Sequence, residues 1–480
     1  PLTAQNWLLK KLASQETGFS RNWLLKKLAS QEILRYTAPL SNLSPATYAR
    51  RPMNRSSSLK ACSYLASAFL AAIFCFGALF TTSAVAGDWP QWRGPDGTGH
   101  SVETGVPLRW SKTDNVVWKV ALAEPGNSTP IVYGDNVFIT ATQGAGKSRA
   151  LICYSRVDGK ELWSAGVEYP EQDPSHKTNP FCSSSPVTDG KRVVVWHGSA
   201  GLFCYDMKGK EIWRKNLGKF EHVWGYAASP IIYGDLVIAS CGPGLRSFVA
   251  AFNKDSGEEV WRIAPDESQS LKLDEFRGSW STPVVYKDGD RDVILISLPL
   301  HLYALEPSTG KTVWRSGGLS KLVYTSPLTS PSHVVAMSGY HGPAICVRPG
   351  GSGDVTENNI AWTHVDKKMN PQRVGSGIIV GKHIYILNET GIAWCLDLTT
   401  GEKVWEQRLA GKSWSSMSHV DGRLYINDMD GKTFVLKPTP EKCEILAENE
   451  LDELTRGSLA FSNGQIFIRT YQHLYCIGKP

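Results

Sequence analysis

Residues 185–218 read SPVTDGKRVVVWHGSAGLFCYDMKGKEIWRKNLG. The stretch has a grammar of its own. A Ser-Pro pair leads into a short apolar run, and Asp189-Gly190 makes a turn. A second run follows at Arg192–Trp196, then Gly201 and an L-x-C-x-D segment. A Gly-Lys turn at Gly209-Lys210 leads into a last run that carries Trp213. Short runs of two-residue period between tight turns are strand signals, and Asp-Gly and Asn-Gly suit two-residue hairpins.

The same grammar recurs along the chain. It runs from Thr129-Pro130 to Trp163, from Ser229-Pro230 to Trp261, from Thr282-Pro283 to Trp314 and from Ser326-Pro327 to Trp362. It continues from Ser376 to Trp405, and from Ser416 to Leu446, where the Trp is lost. A last copy starts at Gly457-Ser458 and stops at Leu474-Tyr475-Cys476, before any Trp run. Four strands per copy, at about 40–50 residues, are the mark of a β-propeller blade. The missing strand has a donor upstream, Asp114–Ala121 with Trp118, which matches the Trp runs of the other copies. Pairing it into the last blade leaves no open edge. The sequence therefore predicts an all-β, eight-bladed propeller whose ring is closed by an N-terminal strand. Trp118, Trp163, Trp213, Trp261, Trp314, Trp362 and Trp405 then pack between neighbouring blades as structural docking residues. A slot repeated around a ring serves the core, because a single site needs it only once.

Composition agrees. Hydrophobic content of 42% with 17 Trp supplies a large core and excludes wholesale disorder. The formal charge of +6 comes from the leader: residues 1–86 hold 10 basic and 2 acidic side chains, the remainder 41 and 43. That balance gives no charge argument for nucleic acid.

Residues 6–16 and 22–32 are the same 11-mer, NWLLKKLASQE, and the first Met is Met53. Residues 1–52 are expected to be an upstream extension outside the native protein. Residues 53–86 read as a secretory signal peptide, with Arg55 and Lys60, an apolar run from Ala61 to Phe80, and Ala84-Val85-Ala86 before Gly87. Cys62 and Cys75 lack a lipobox. The expectation is an exported protein, periplasmic or extracellular, attached to membrane only if the leader stays uncleaved. Residues 87–126 then form an N-terminal segment with the closing strand, and 127–480 the propeller. Cys153, Cys204, Cys346, Cys395 and Cys476 share one repeated slot, filled elsewhere by Ala251, Ala304 and Leu436. They read as small buried residues rather than disulfide partners. No C-x-x-C pair, haem motif or zinc spacing occurs in the sequence.

Topology locates a site. The loops leading into the innermost strands and the loops joining strands two and three lie on one face, around the channel. They carry Trp224, Arg277, Trp280, Arg373, Trp414 and Arg456, the candidate ligand-binding residues. Aromatics with Arg make binding surfaces, although channel aromatics also serve as filling. Arg277 and Arg373 precede innermost strands and are expected at the channel mouth, where an anionic ligand would meet them. Asn388, Glu389 and Asp428 are the oxygen donors a metal could use; the plainer reading makes them turn formers.

The recurring D-x-x-x-G-K-x-x-W pattern, as in Asp206–Trp213 and Asp397–Trp405, resembles the tryptophan-docking repeat of PQQ-type quinoprotein and BamB-like propellers. Asp88-Trp-Pro-Gln-Trp-Arg-Gly-Pro95 and Arg348-Pro-Gly-Gly-Ser-Gly-Asp-Val-Thr356 resemble segments of a secreted bacterial subfamily of PQQ-binding-like β-propeller repeat proteins. The resemblance spans about 87–480. It implies a propeller and, for the dehydrogenases, PQQ with Ca2+, an adjacent-cysteine disulfide and long pocket-forming insertions. This sequence has no adjacent cysteine pair and almost none of the insertions. The leading expectation is a monomeric, cofactor-free binding or assembly scaffold for a protein partner or an anionic small ligand. A PQQ- and Ca2+-dependent dehydrogenase is the second reading, and a glycan-binding propeller the third.

Overall fold

The computed structural model describes residues 87–244, 246–264 and 277–479, all in the compact unit Phe80–Pro480. The extension at 1–52 and the leader at 53–86 lie outside the described residues. Eight antiparallel four-stranded sheets follow one another along the chain. Blades 1–7 span 131–168, 187–215, 231–263, 284–317, 328–364, 378–408 and 418–450. Blade 8 combines Ala460–Ser462, Gln465–Arg469 and His473–Ile477 with Val116–Ala121 from upstream, with Trp118 opposite Cys476. In each blade the first strand is innermost; the last, outermost in the sheet order, is the most exposed. Asp421-Gly422 and Asn463-Gly464 have positive φ at both residues, as the tightest hairpins require.

The Trp slot docks each blade onto the next. The indole N–H of Trp118, Trp163, Trp213, Trp261, Trp362 and Trp405 donates to a backbone carbonyl of the following blade, at Arg156, Met207, Lys254, Pro307, Leu398 and Thr439. The Gly of the Gly-Lys turn makes room for the ring. A Cβ on Gly209 would lie 2.7 Å from Trp163, and one on Gly310 2.5 Å from Trp261. The repeated Cys slot lies directly across the sheet from this Trp, as in Cys153 opposite Trp163 and Cys204 opposite Trp213. All five of these cysteines are buried free thiols, and burial pushes Cys153 up to about 12.

Two junctions differ. Blade 5 has the Arg348–Thr356 segment in place of the short turn. It folds back so that Gly353–Asp354 adds a parallel fifth strand beyond the outer strand of blade 4. Trp314 therefore donates instead to Asp288 Oδ2, at 3.0 Å, and shares its cluster with Val355. Blade 7 lacks the Trp. There Trp110, from the N-terminal segment, is buried with Val435, Ala447 and Leu451, and its amide donates to Asn449 Oδ1 at 2.8 Å.

The Ser or Thr that opens each repeat has a role of its own. The amide of Thr129 donates to Ser185 Oγ, Ser185 to Ser229, Ser229 to Thr282 and Thr282 to Ser326. Ser326 donates to Ser376, Ser376 to Ser416, Ser416 to Ser458 and Ser458 back to Thr129. Distances run from 2.8 Å at Thr282 to 3.2 Å at Ser458. The circle closes around the channel with one bond per blade, and each bond satisfies a buried amide that no sheet partner reaches.

Below this ring the channel is stoppered. Trp89 exchanges both backbone bonds with Val132 of blade 1, and Thr188 of blade 2 donates to the Pro90 carbonyl. The Arg93 guanidinium donates to Gly377 O of blade 6 at 2.8 Å. His100–Ser101 pair in parallel with His419–Val420 of blade 7, and Glu103 accepts from the Gly464 amide of blade 8. Because these partners lie on or beside innermost strands, residues 88–103 fill the channel from the turn side. The Asp88-Trp-Pro-Gln-Trp-Arg-Gly-Pro95 motif is thus a plug, with Trp89 fully buried.

Candidate functional site

The opposite, loop-bearing mouth has two lobes. The first spans blades 3 to 5. Trp224 and Trp280 lie 6.0 Å apart between ring centroids, and Tyr324 meets Trp280 edge-on at 5.1 Å. Tyr340, half-exposed, lies 6.1 Å from Trp224, and His222 lies edge-on to Trp280 at 5.0 Å. The supporting loops are tied by backbone. Gly278–Ser279 and Leu322–Val323 form a two-stranded parallel ribbon. The Trp280 indole donates to Gly225 O at 2.9 Å, and the Asn179 amide to Trp224 O at 2.6 Å. A Cβ at Gly339 would lie 2.2 Å from the Tyr324 ring, so only glycine permits that approach. Burial pushes the Tyr324 hydroxyl up, so it stays neutral.

The second lobe spans blades 6 to 8. The Arg456 guanidinium stands 5.3 Å from the Trp414 ring and 5.1 Å from the Tyr471 ring, and it bonds the Tyr471 hydroxyl. Trp414 in turn donates to Glu389 Oε1 at 3.3 Å. Burial alone lowers the affinity of Arg456 for its proton, and no carboxylate is within salt-bridge reach of it among the described residues. It is a half-buried cation held by aromatic faces, a geometry that favours an added anion. Beside it, Glu453 accepts from Thr470, His473 and Tyr475. Burial works against its ionisation, but these three donors outweigh it and hold the carboxyl below its usual range.

Of the six sequence candidates, the structure puts Trp224 with Trp280 in the first lobe and Trp414 with Arg456 in the second. Arg277 is buried. Arg373 departs from its expected place at the channel mouth. It is 1% exposed, and its guanidinium is fastened to Met369 O at 2.5 Å and to Gly342 O and Asn370 Oδ1. A buried cation surrounded by carbonyls clamps its own loop to the Gly342 loop of blade 5. The three metal candidates do not converge. Asp428 Oδ1 accepts the Asp430 and Lys432 amides of its own turn, Glu389 takes the Trp414 indole, and Asn388 donates to Ile392 O. No group of three His, Cys, Asp or Glu is placed to hold a metal among the described residues.

A third cluster escaped the sequence reading. Arg149 pairs with Asp173 at 2.8 Å, both buried, inside a cage of Tyr169, Phe181 and Tyr226. Its guanidinium also bonds the carbonyl of His197, and burial followed by the charge of Arg149 pushes that imidazole down to about 3. Arg149 lies within a strand whose pattern is otherwise apolar, and Asp173 lies 24 residues on in a long loop. Only the lone Arg in an apolar run could have flagged it.

A family model for the outer membrane protein assembly factor BamB matches residues 108–244, 147–407 and 353–439. The chain is 23% identical over 429 residues to quinohemoprotein alcohol dehydrogenase ADH IIB of Pseudomonas putida, covering 78% of this chain and 60% of that protein. It thus spans less than two thirds of that relative. Among solved structures, BamB from Moraxella catarrhalis superposes with a TM-score of 0.55 at 16% identity, over 76% of this chain and 97% of that one. A europium-containing methanol dehydrogenase gives 0.62 at 10% identity, over 82% and 98%. These structural likenesses establish the fold.

Proposed function

The chain belongs to the BamB family of propellers, and from that footing we propose that it is an exported, non-catalytic scaffold that captures a partner protein at the funnel mouth. The carrying observation is the aromatic rim. Trp224, Trp280, Tyr324 and Tyr340 pack on one another as a half-exposed aromatic surface in the first lobe, and Trp414 and Tyr471 flank the Arg456 cation in the second. Rigid aromatics beside one desolvated guanidinium make a hot spot for an extended peptide bearing carboxylates. The plug closes the far end of the channel, so a ligand meets the rim rather than a through-passage.

A quinone dehydrogenase needs oxygen donors converging on Ca2+ beside the quinone. Here Asp428 Oδ1 takes two amides of its own turn and Glu389 Oε1 takes an indole; Asn388 Oδ1 is buried without a hydrogen-bond partner, but no group of three His, Cys, Asp or Glu is placed to hold a cation among the described residues. One free amide oxygen does not make a Ca2+ site. The test is a pair of titrations on the full chain. A capped peptide alternating Glu with Trp and Phe should bind saturably, and Arg456→Ala should weaken it about tenfold. Stoichiometric binding of PQQ with Ca2+, followed by absorbance and calorimetry, would overturn the scaffold reading in favour of the dehydrogenase.

A further inference from the structure

Beyond the funnel, we propose that the outer edge of blade 1, Glu161–Glu168, is a docking edge that takes an extended, Lys- or Arg-flanked segment of a partner protein as a fifth strand. Outer strands are edges with unpaired backbone groups, and proteins normally blunt them with charge or shortness. The other outer strands follow that rule. Charges sit inside them at Lys119, Arg214, Arg262, Arg315, Glu406 and Glu448, while blade 5 has only the five residues Ile360–His364. Blade 1 departs from it. Its outer strand is eight residues long, and Leu162-Trp-Ser-Ala-Gly-Val167 carries no charge. No strand lies beyond it among the described residues. Leu162, like Ile212, Val260 and Val404 before the Trp of other outer strands, is exposed, so what sets this edge apart is its length and its uncharged run.

Two further observations point to an occupant. Gly166 lies in mid-strand, and a Cβ built on it meets nothing within 4 Å. Glycine weakens a strand, and its use in open space suits the close approach of another backbone. The molecule also seats such a strand on itself: Gly353–Asp354 lies parallel against Trp314 and Arg315 of blade 4. The corresponding edge of blade 1 is longer and bare.

Charge selects among occupants. Glu161 and Glu168 are exposed at the two ends of the edge, about 23 Å apart at strand rise. Antiparallel pairing with a second copy would set Glu161 against Glu168 twice, which opposes a homodimer. A partner strand with an uncharged core and a basic residue at each end matches both.

The probe is a capped octapeptide, Lys-Thr-Val-Thr-Val-Thr-Val-Lys, with a Glu-ended counterpart, titrated into the full chain at low salt. The Lys-ended peptide should bind about fivefold to tenfold more tightly, and the paired change Glu161→Lys with Glu168→Lys should reverse that preference. Both Glu are exposed, so this variant keeps its fold. Hydrogen exchange should slow in residues 161–168 when the Lys-ended peptide is present. Equal affinity for the two peptides, no binding of either, protection confined to another blade, or concentration-dependent dimerisation through this edge would each overturn the proposal. The acidic probe of the funnel is of opposite charge, so the two sites fail or succeed separately.

Discussion

The two ends of the channel are built by different means. At the turn end, one continuous segment reaches five blades through its backbone and a few buried side chains: Trp89 to blade 1, Pro90 to blade 2, Arg93 to blade 6, His100 to blade 7 and Glu103 to blade 8. At the loop end, neighbouring blades contribute separate side chains that meet ring against ring, such as Trp224, Trp280 and Tyr324. The difference teaches where stability and recognition reside. Backbone pairing in a sealed bore holds the ring shut. Partly exposed aromatics on surface loops can be exchanged without opening it.

The largest effect should come from removing the sealed end. Deleting residues 87–122 takes away the plug and the outer strand of blade 8, leaving three strands and a bare edge. Thermal unfolding should lose its cooperativity. A deletion that melts like the parent would show that the closing strand is dispensable and end the contrast between the two mouths.

Next is Trp89→Ala, which empties a fully buried ring packed on Phe461 at 5.3 Å. The expected loss is about 3–5 kcal/mol in denaturant unfolding, against under about 1 kcal/mol for Tyr340→Ala at the exposed rim. Similar losses would put the rim and the plug on one footing.

The plug also carries a pH signature. His100 Nδ1 lies 3.2 Å from His419 Nδ1, an arrangement that needs at least one neutral ring. Burial, then His419 and Arg93, push His100 down to about 4. In the unfolded chain His titrates near about 6.5, so the unfolded state takes up the proton first. The contribution is complete above about 6.5 and is lost as pH falls towards 4, by roughly 3 kcal/mol. Buried His197 acts in the same direction. His100→Asn should flatten the stability curve between pH 7 and 4, and an unchanged slope would mean that the pair does not couple to folding.

A smaller effect is expected at the hydroxyl ring, and the smallest in stability at the funnel. Ser185→Ala leaves the buried Thr129 amide without its acceptor, at a cost of about 1–3 kcal/mol. Arg456→Ala at the funnel should cost less in stability while weakening peptide binding about tenfold. If instead Arg456→Ala unfolds the chain, that guanidinium belongs with the clamp at Arg373 and not with the rim.

The blade count, the closing strand and the Trp slot were all legible in the sequence, because each is written seven or eight times and needs only local periodicity to be read. The Ser-Pro openings were visible as punctuation, but a single repeat cannot show that Ser185 accepts from the blade before and donates to the blade after. The plug was opaque. Its contacts join Arg93 to Gly377 across 284 residues, and Gly87 to Ser462 across 375, with no period in the segment itself. The funnel lay between these extremes. Topology named the loops that carry Trp224, Trp280, Trp414 and Arg456. It could not tell Arg456, stacked on aromatics, from Arg373, turned inward onto carbonyls, because both precede an innermost strand in the same way.

The circle of hydroxyl bonds has a mechanical consequence. Every blade is both donor and acceptor, so the circle has no free end at which strain could be relieved. Widening the bore would lengthen all eight contacts together. The circle thus works as a washer of fixed gauge: it holds the aperture constant, so adaptation to a visiting molecule is left to the loops above it.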